Sequence, residues 1–260
     1  MTPIFETHAH YEDRQFDKDR DELLLSMHRN QIRYIVNVGS SLETTRKTVD
    51  LTRQYDFIYG AAGVHPSETA ELTEENFPQI REAALQPKIV AVGEIGLDYY
   101  WPEPDHDTQK RWFIRQLNLA REIHKPVIIH SRDAAQDTMD IMKEQRAEEI
   151  GGVVHCFSGS LPMAQEYVKM GFFIGIGGVV TFKNARKLKE VAEGIPMEAI
   201  VLETDSPYLA PVPYRGKRNY SLYIPLAAQE IARIKGISAE EVIQKAYENA
   251  RRLYRFPKEW

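Results

Sequence analysis

The sequence predicts an α/β fold of the (β/α)8 type, a TIM barrel, and three observations lead there. Eight short β-branched apolar runs, each followed by a longer amphipathic stretch, and one further closing amphipathic stretch lie along 260 residues. Several of those runs stop on a histidine or an acid. The length also fits, because barrels of about 250 residues form one domain. Residues 1–260 therefore read as a single domain.

The elements follow in order. A first strand falls near 4–8, where Ile4-Phe5-Glu6-Thr7 runs into His8-Ala9-His10, and a helix follows near 17–30. Strands near 34–38 and 57–62 are each followed by a helix, near 43–55 and 74–86. The fourth strand, near 89–94, carries Ile89-Val90-Ala91-Val92-Gly93 into Glu94, ahead of a helix near 107–124. The fifth, near 127–130, ends on His130, and the sixth, near 152–155, ends on His155; their helices lie near 134–148 and 161–170. A seventh strand near 172–176 precedes a helix near 184–193. The eighth, near 200–205, runs through Glu203-Thr204 into Asp205, with helices near 224–235 and 239–254. Thr73-Glu74-Glu75-Asn76 and Ser238-Ala239-Glu240-Glu241 place a hydroxyl before acids, as a helix capping box does. The doubly wound open sheet is the alternative, but no Gly-rich fingerprint follows the first strand. The longest irregular segments, 95–106 and 206–223, both follow acid-bearing strands, where barrel enzymes keep substrate loops.

Composition narrows the class. The chain is 43% hydrophobic with net charge −5, and it has no basic tail, so tight non-specific duplex binding is not expected. One cysteine, Cys156, excludes an intramolecular disulfide framework. With no basic-then-apolar leader this points to a reducing cytoplasm. No apolar run approaches the roughly 20 residues that span a bilayer. No membrane contact and no obligate protein partner is expected.

Chemistry enters through the strand ends. Side chains at the C-terminal ends of parallel barrel strands converge on one face. Residues two apart on a strand point the same way, so His8 and His10 can grip one ion. Mixed imidazole and carboxylate ligands suit Zn, Mn, Fe, Co or, more weakly, Mg. Six ligands exceed what one tetrahedral zinc with an open position takes. They suit two divalent ions about 3.5–4 Å apart, which activate one water and stabilise attacking and leaving oxygens. The expected assignment is His8, His10, Glu94 and Asp205 around one ion, and Glu94, His130 and His155 around the other. Glu94 is the bridge, and Asp205 doubles as general base.

Other residues fall near this face. Glu6 shares parity with His8 and Glu203 with Asp205, so each is expected to hydrogen-bond a ligand or a neighbouring side chain. His65, in Gly63-Val64-His65-Pro66, directly follows the third strand and is a candidate substrate contact. Cys156 has the opposite parity to His155 and is expected to pack rather than react. His28, His106 and His124 fall in helical or loop sequence, as surface residues do. Arg132 follows His130, and Arg215-Gly216-Lys217-Arg218 follows Asp205; arginine suits bidentate phosphate contacts. Arg132, Arg215 and Arg218 are therefore candidate substrate-binding residues, while Lys217 reads as a solvated turn residue. Tyr99, Tyr100, Trp101, Tyr208 and Tyr214 flank these loops. They can stack on bases, as in single-strand binders, or close the loops as small cores.

Six blocks now stand in order across nearly the whole chain: Glu6-Thr7-His8-Ala9-His10, Gly63-Val64-His65-Pro66, Val92-Gly93-Glu94-Ile95-Gly96-Leu97-Asp98-Tyr99, His130-Ser131-Arg132-Asp133-Ala134, His155-Cys156-Phe157-Ser158-Gly159 and Glu203-Thr204-Asp205-Ser206-Pro207-Tyr208-Leu209. Together they resemble the TatD family of metal-dependent deoxyribonucleases. The resemblance implies a barrel of the amidohydrolase superfamily, a divalent-metal site, and hydrolysis of DNA phosphodiesters, with 3'-5' exonuclease action on single strands. It also implies that the positions matching His8, His10, Glu94, His130, His155 and Asp205 are metal ligands. The chain departs from the family at Glu6, where Asp is usual, at Ser67 and Tyr214, where His is common, and at Tyr220-Ser221 in place of Glu-Pro. A C–N hydrolase of the same superfamily is the first rival, but many of its binuclear members bridge their metals with a modified lysine where Glu94 stands here. A non-catalytic nucleic-acid-binding barrel is the second, and its expected mark would be a lost ligand.

Overall fold

The computed structural model describes residues 2–257. In chain order it contains β1 (Ile4–Ala9), α1 (Arg20–Asn30), β2 (Ile32–Val38), α2 (Leu42–Gln54), β3 (Ile58–Ala62), α3 (Pro78–Ala84), β4 (Ile89–Asp98), α4 (His106–Glu122), β5 (Val127–Arg132), α5 (Ala135–Glu144), β6 (Gly152–Val154), α6 (Leu161–Lys169), β7 (Phe173–Ile176), α7 (Arg186–Gly194), β8 (Ile200–Leu202), α8 (Ile224–Lys235) and α9 (Ala239–Leu253). All eight strands belong to one sheet in the order β1 to β8. The described chain divides into two compact units, one of residues 2–37, 156–169 and 173–257, the other of residues 38–155 and 170–172.

In the first unit β1 pairs in parallel with β2, and β7 with β8 in the register Ile176↔Leu202. A parallel bridge joins Ala9 to Ser206. Helix α9 packs on both β1 and β8. Its start is set by Ser238, whose hydroxyl accepts from the Glu241 amide, as expected of that motif. Around Phe5 the rings of Tyr34, Tyr247, Tyr254 and Phe256 form an aromatic cluster with centroid distances of 5.1–6.2 Å.

In the second unit β3, β4, β5 and β6 run in parallel. Val127, Ile128 and Ile129 are fully buried, each contributing about 1.5–3 kcal/mol by that burial. Two lysines finish this unit's helices. Lys88 Nζ donates to the carbonyls of Thr52 and Tyr55 at the end of α2, and Lys125 Nζ donates to that of Ala84 at the end of α3 and to that of Ile89 at the start of β4. Helix-end carbonyls lack partners within their helix, and a cation there also complements the dipole.

Three boundaries differ from the sequence reading for identifiable reasons. Helix α3 starts at Pro78, not at Glu74. Thr73 and Asn76 instead close a turn on each other, backbone amide to side-chain oxygen in both directions. Strand β4 continues through Asp98, four residues past its expected end. It does so because Gly96 lies against β5, where an added Cβ would meet the His130 carbonyl oxygen at 2.0 Å. Strand β8 stops at Leu202, so Glu203 and Asp205 are not strand residues, and Asp205 takes a left-handed backbone with φ of 57°. Aspartate tolerates that region better than most side chains.

Candidate metal centre

The first unit gathers His8, His10 and Asp205. β1 delivers the two histidines, and backbone bonds stitch the segment after β8 to its end. Asp205 N donates to the His8 carbonyl at 3.0 Å, and His10 N donates to the Ser206 carbonyl at 2.8 Å. The His8 and His10 Nε2 atoms are then 3.1 Å apart. Asp205 Oδ1 lies 3.7 Å from the first and 3.4 Å from the second. On its other side His10 Nδ1 stands 3.6 Å from Glu12 Oε1, and Glu12 Oε2 accepts from Asn37 at 2.7 Å. Burial lowers the His10 pKa, but Asp205 and Glu12 outweigh it and hold the pKa well above the ordinary imidazole value.

Glu6 supports this cluster through the backbone. Its carboxylate accepts from the amides of His8 and Thr204 and from the Thr204 hydroxyl, at 3.2, 2.9 and 2.6 Å. Burial pushes its pKa up to about 7 against those hydrogen bonds. Glu203 accepts from the Cys156 amide at 2.5 Å. Its carboxylate sits against Gly175, where a Cβ would come within 2.3 Å of an oxygen. Cys156 is half-buried, in no disulfide, and has φ of 43°.

The second unit gathers Glu94, His130 and His155. Glu94 Oε1 lies 2.8 Å from His130 Nδ1 and 2.5 Å from His155 Nε2. These three residues offer ligand atoms that all fall within 4.8 Å of one another. The far nitrogen of His130, Nε2, stands 3.0 Å from Asp98 Oδ2. Burial lowers the His130 pKa, but Asp98 and Glu94 outweigh it and raise the pKa to about 9. The Asp98 carboxyl is lowered in turn, with His130 outweighing its burial. His65 packs edge-on against His130 with centroids 4.2 Å apart, and its Nε2 is 3.9 Å from Glu94 Oε1. Burial, then the neighbouring His130, drives its pKa down to about 3, so its imidazole is neutral.

Asp98 and Glu12 were missed by the sequence reading. Asp98 is in phase with Glu94 on an alternating strand, a signal hidden because β4 was expected to end at Glu94. The candidate arginines each have a partner within their own unit. The Arg132 guanidinium lies over Tyr100 at 3.7 Å and that of Arg215 over Phe182 at 4.5 Å. Arg218 pairs with both carboxylate oxygens of Asp19, at 2.8 and 2.5 Å.

Both clusters fit a divalent cation. Each combines two imidazoles with a carboxylate, donors suited to zinc, manganese, iron or cobalt. In each, a carboxylate also faces the far nitrogen of one histidine, the arrangement that orients metal-ligating imidazoles. Parallel strands alternating with helices, bearing such clusters within β4 and at or near the ends of β1, β5, β6 and β8, define a metal-dependent hydrolase of the α/β-barrel class. Residues 5–255 match the family described as TatD related DNase, and the chain belongs to that family. It is 44% identical to the uncharacterized metal-dependent hydrolase YabD of Bacillus subtilis over 252 residues, 97% of this chain and 99% of that protein. It is 32% identical to the 3'-5' ssDNA/RNA exonuclease TatD of Erwinia tasmaniensis over 257 residues, 96% of this chain and 99% of the other. The crystal structure of YjjV, a TatD homologue from Escherichia coli, matches with a TM-score of 0.91 at 29% identity and covers 98% of both chains. The fold is thus the eight-stranded barrel with alternating helices that the sequence predicts. Among the described residues, no helix is long and apolar enough to cross a membrane.

Proposed function

We propose that this protein hydrolyses phosphodiester bonds of DNA with two divalent ions, trimming single strands from the 3' end. The observation that carries the hydrolytic part is that each unit presents a full set of two imidazoles and a carboxylate. The relative named as a 3'-5' ssDNA/RNA exonuclease supports the choice of substrate. His8, His10 and Asp205 would hold one ion, and Glu94, His130 and His155 the other. When bound, such ions lower the pKa of water and neutralise charge on phosphoryl oxygens.

The protein's own groups do the rest. Asp205 takes the proton of the attacking water. His130 is held with Nδ1 toward Glu94 by Asp98 on its Nε2. His65, neutral because of its depressed pKa, donates to a phosphate oxygen. Arg132 and Arg215 lead as phosphate partners over Arg218, whose fork is occupied by Asp19. The lone cysteine suits a cytoplasmic setting.

The test strips the protein of metal and reloads it with Mg2+, Mn2+ or Zn2+. It is then given single-stranded DNA labelled at the 5' end, an RNA of the same sequence, and a panel of small amides. The expected result is a ladder of shortening products from the DNA. Turnover of amides with intact DNA under every metal would overturn the reading.

A further inference from the structure

The loop after β4 exposes two aromatic rings on an otherwise well-anchored segment. Tyr100 is 53% exposed and Trp101 51%. The loop is tied at many points. Tyr99 N donates to the Arg132 carbonyl at 2.9 Å, and Tyr99 Oη donates to Asp137 at 2.7 Å. The Tyr99 ring stacks on His106 at 3.6 Å. Tyr100 N donates to Asp98 Oδ1 at 3.0 Å, and Gln109 Nε2 donates to the carbonyls of Asp98 and Pro104 at 2.9 Å. A segment held this firmly does not expose its largest rings through slackness. Nor do Tyr100 and Trp101 close a small core, since more than half of each faces water.

The chemistry around them points to a ligand. Tyr100 meets Trp101 edge-on at 4.9 Å, and the exposed Arg132 lies over Tyr100 at 3.7 Å. Asp98 pairs in register with Arg132 across β4 and β5. The carboxylate that fixes the Tyr100 amide is the one that faces His130 Nε2. The rings therefore stand two and three residues beyond an acid that faces a metal-ligating histidine. A planar, electron-rich group beside a phosphate is what aromatic faces and a guanidinium plane bind together.

We infer that Trp101 and Tyr100, with Arg132, form a stacking platform for a nucleobase of the single strand. This rests on the nucleic-acid reading above and names the loop that would give a base-bearing end its grip. The test compares wild type with Trp101→Ala and Trp101→Phe. Each is loaded with Mn2+ and offered two oligodeoxynucleotides of one length, one with natural bases and one with abasic tetrahydrofuran residues at the 3' end. Binding is read by fluorescence anisotropy in an Asp205→Asn background, and cleavage by product ladders in the otherwise native enzyme. Wild type should favour the base-bearing strand. Trp101→Ala should shrink that preference by about 5- to 150-fold per base stacked, and Trp101→Phe should restore most of it. A preference unchanged in Trp101→Ala overturns the platform, as does an equal loss on both strands. A protein that binds with the expected preference yet cleaves neither strand would sink the hydrolase reading and leave the platform standing.

Discussion

The two units solve one problem with opposite ends of the imidazole ring. In the first, His10 turns Nε2 toward Asp205 and Nδ1 toward Glu12. In the second, His130 turns Nδ1 toward Glu94 and Nε2 toward Asp98. Each ring thus lies between a carboxylate of its own cluster and a second carboxylate behind it. The geometry differs in tightness: 3.4 and 3.6 Å around His10, against 2.8 and 3.0 Å around His130. The source of the second acid differs too. Glu12 follows His10 by two residues on the same segment, whereas Asp98 arrives from the neighbouring strand. The lesson is that sequence spacing alone does not reveal which acid orients a histidine. Register across strands supplied the tighter partner.

The largest expected effects come from the cluster carboxylates. Asp205→Asn keeps a side chain that tolerates the left-handed backbone at that position, so the local fold survives. Turnover should fall by at least about 10²-fold, the lower end for losing general acid–base help. Glu94→Gln removes the anion that both His130 and His155 face, and elemental analysis should show metal content reduced. Full metal occupancy in Glu94→Gln, or wild-type turnover in Asp205→Asn, would break the division of roles between the two clusters.

Next in size is the pair that tests tightness itself. Asp98→Asn should lower metal affinity or activity by about 10- to 100-fold, the range for partners that orient a metal-bound histidine. Glu12→Gln, with its longer contact, should cost less than about tenfold. Competition against a fluorescent chelator reads the affinities, and kcat/KM reads the chemistry. Equal losses in both variants would show that the difference in distance carries no energetic meaning. Cys156→Ala ranks lower still, because its backbone amide, not its thiol, serves Glu203. Its rate should stay within a few-fold of wild type with a modest loss of stability; an inactive but folded Cys156→Ser would instead favour a thiol mechanism.

Much of this was legible in the sequence, for reasons specific to each residue. The alternation of β-branched runs and amphipathic stretches gave the order of elements, because strands and helices bury apolar residues at different periods. His8, Glu94, His130 and His155 were visible because each follows an apolar run, although β4 continues past Glu94 to Asp98. Asp205 was found by the same signal although it lies beyond the strand, in a backbone state that no pattern shows. Glu6 was expected to bond a ligand or neighbouring side chain. It binds the Thr204 hydroxyl and amide and the His8 amide, so it positions chain segments more than rings. The arginines were found as cations near the loops, but their ring and carboxylate partners depend on tertiary packing. Asp98 was hidden by a strand boundary set four residues short.

The smallest effect provides the background against which the cluster variants are read. Glu230 on α8 holds Lys189 Nζ at 2.8 Å and Arg233 Nη2 at 3.0 Å. The Arg233 hydrogen bond, with Lys189 adding to it against burial, holds its pKa down to about 2. A carboxylate whose native pKa lies below its unfolded value of about 4.5 stabilises the fold above that value. That contribution disappears as pH falls toward 2. Arg233 is largely exposed, so solvent screening limits the contribution to below about 1 kcal/mol. Glu230→Gln should therefore lower the melting temperature at pH 7 by no more than about 2–4 °C. The gap to wild type should close as the solution is acidified, and it should be the same with and without divalent metal. A gap that widened on adding Mn2+ would mean that the α8 ion pair is coupled to the clusters, and stability losses in the cluster variants could then no longer be assigned to metal binding alone.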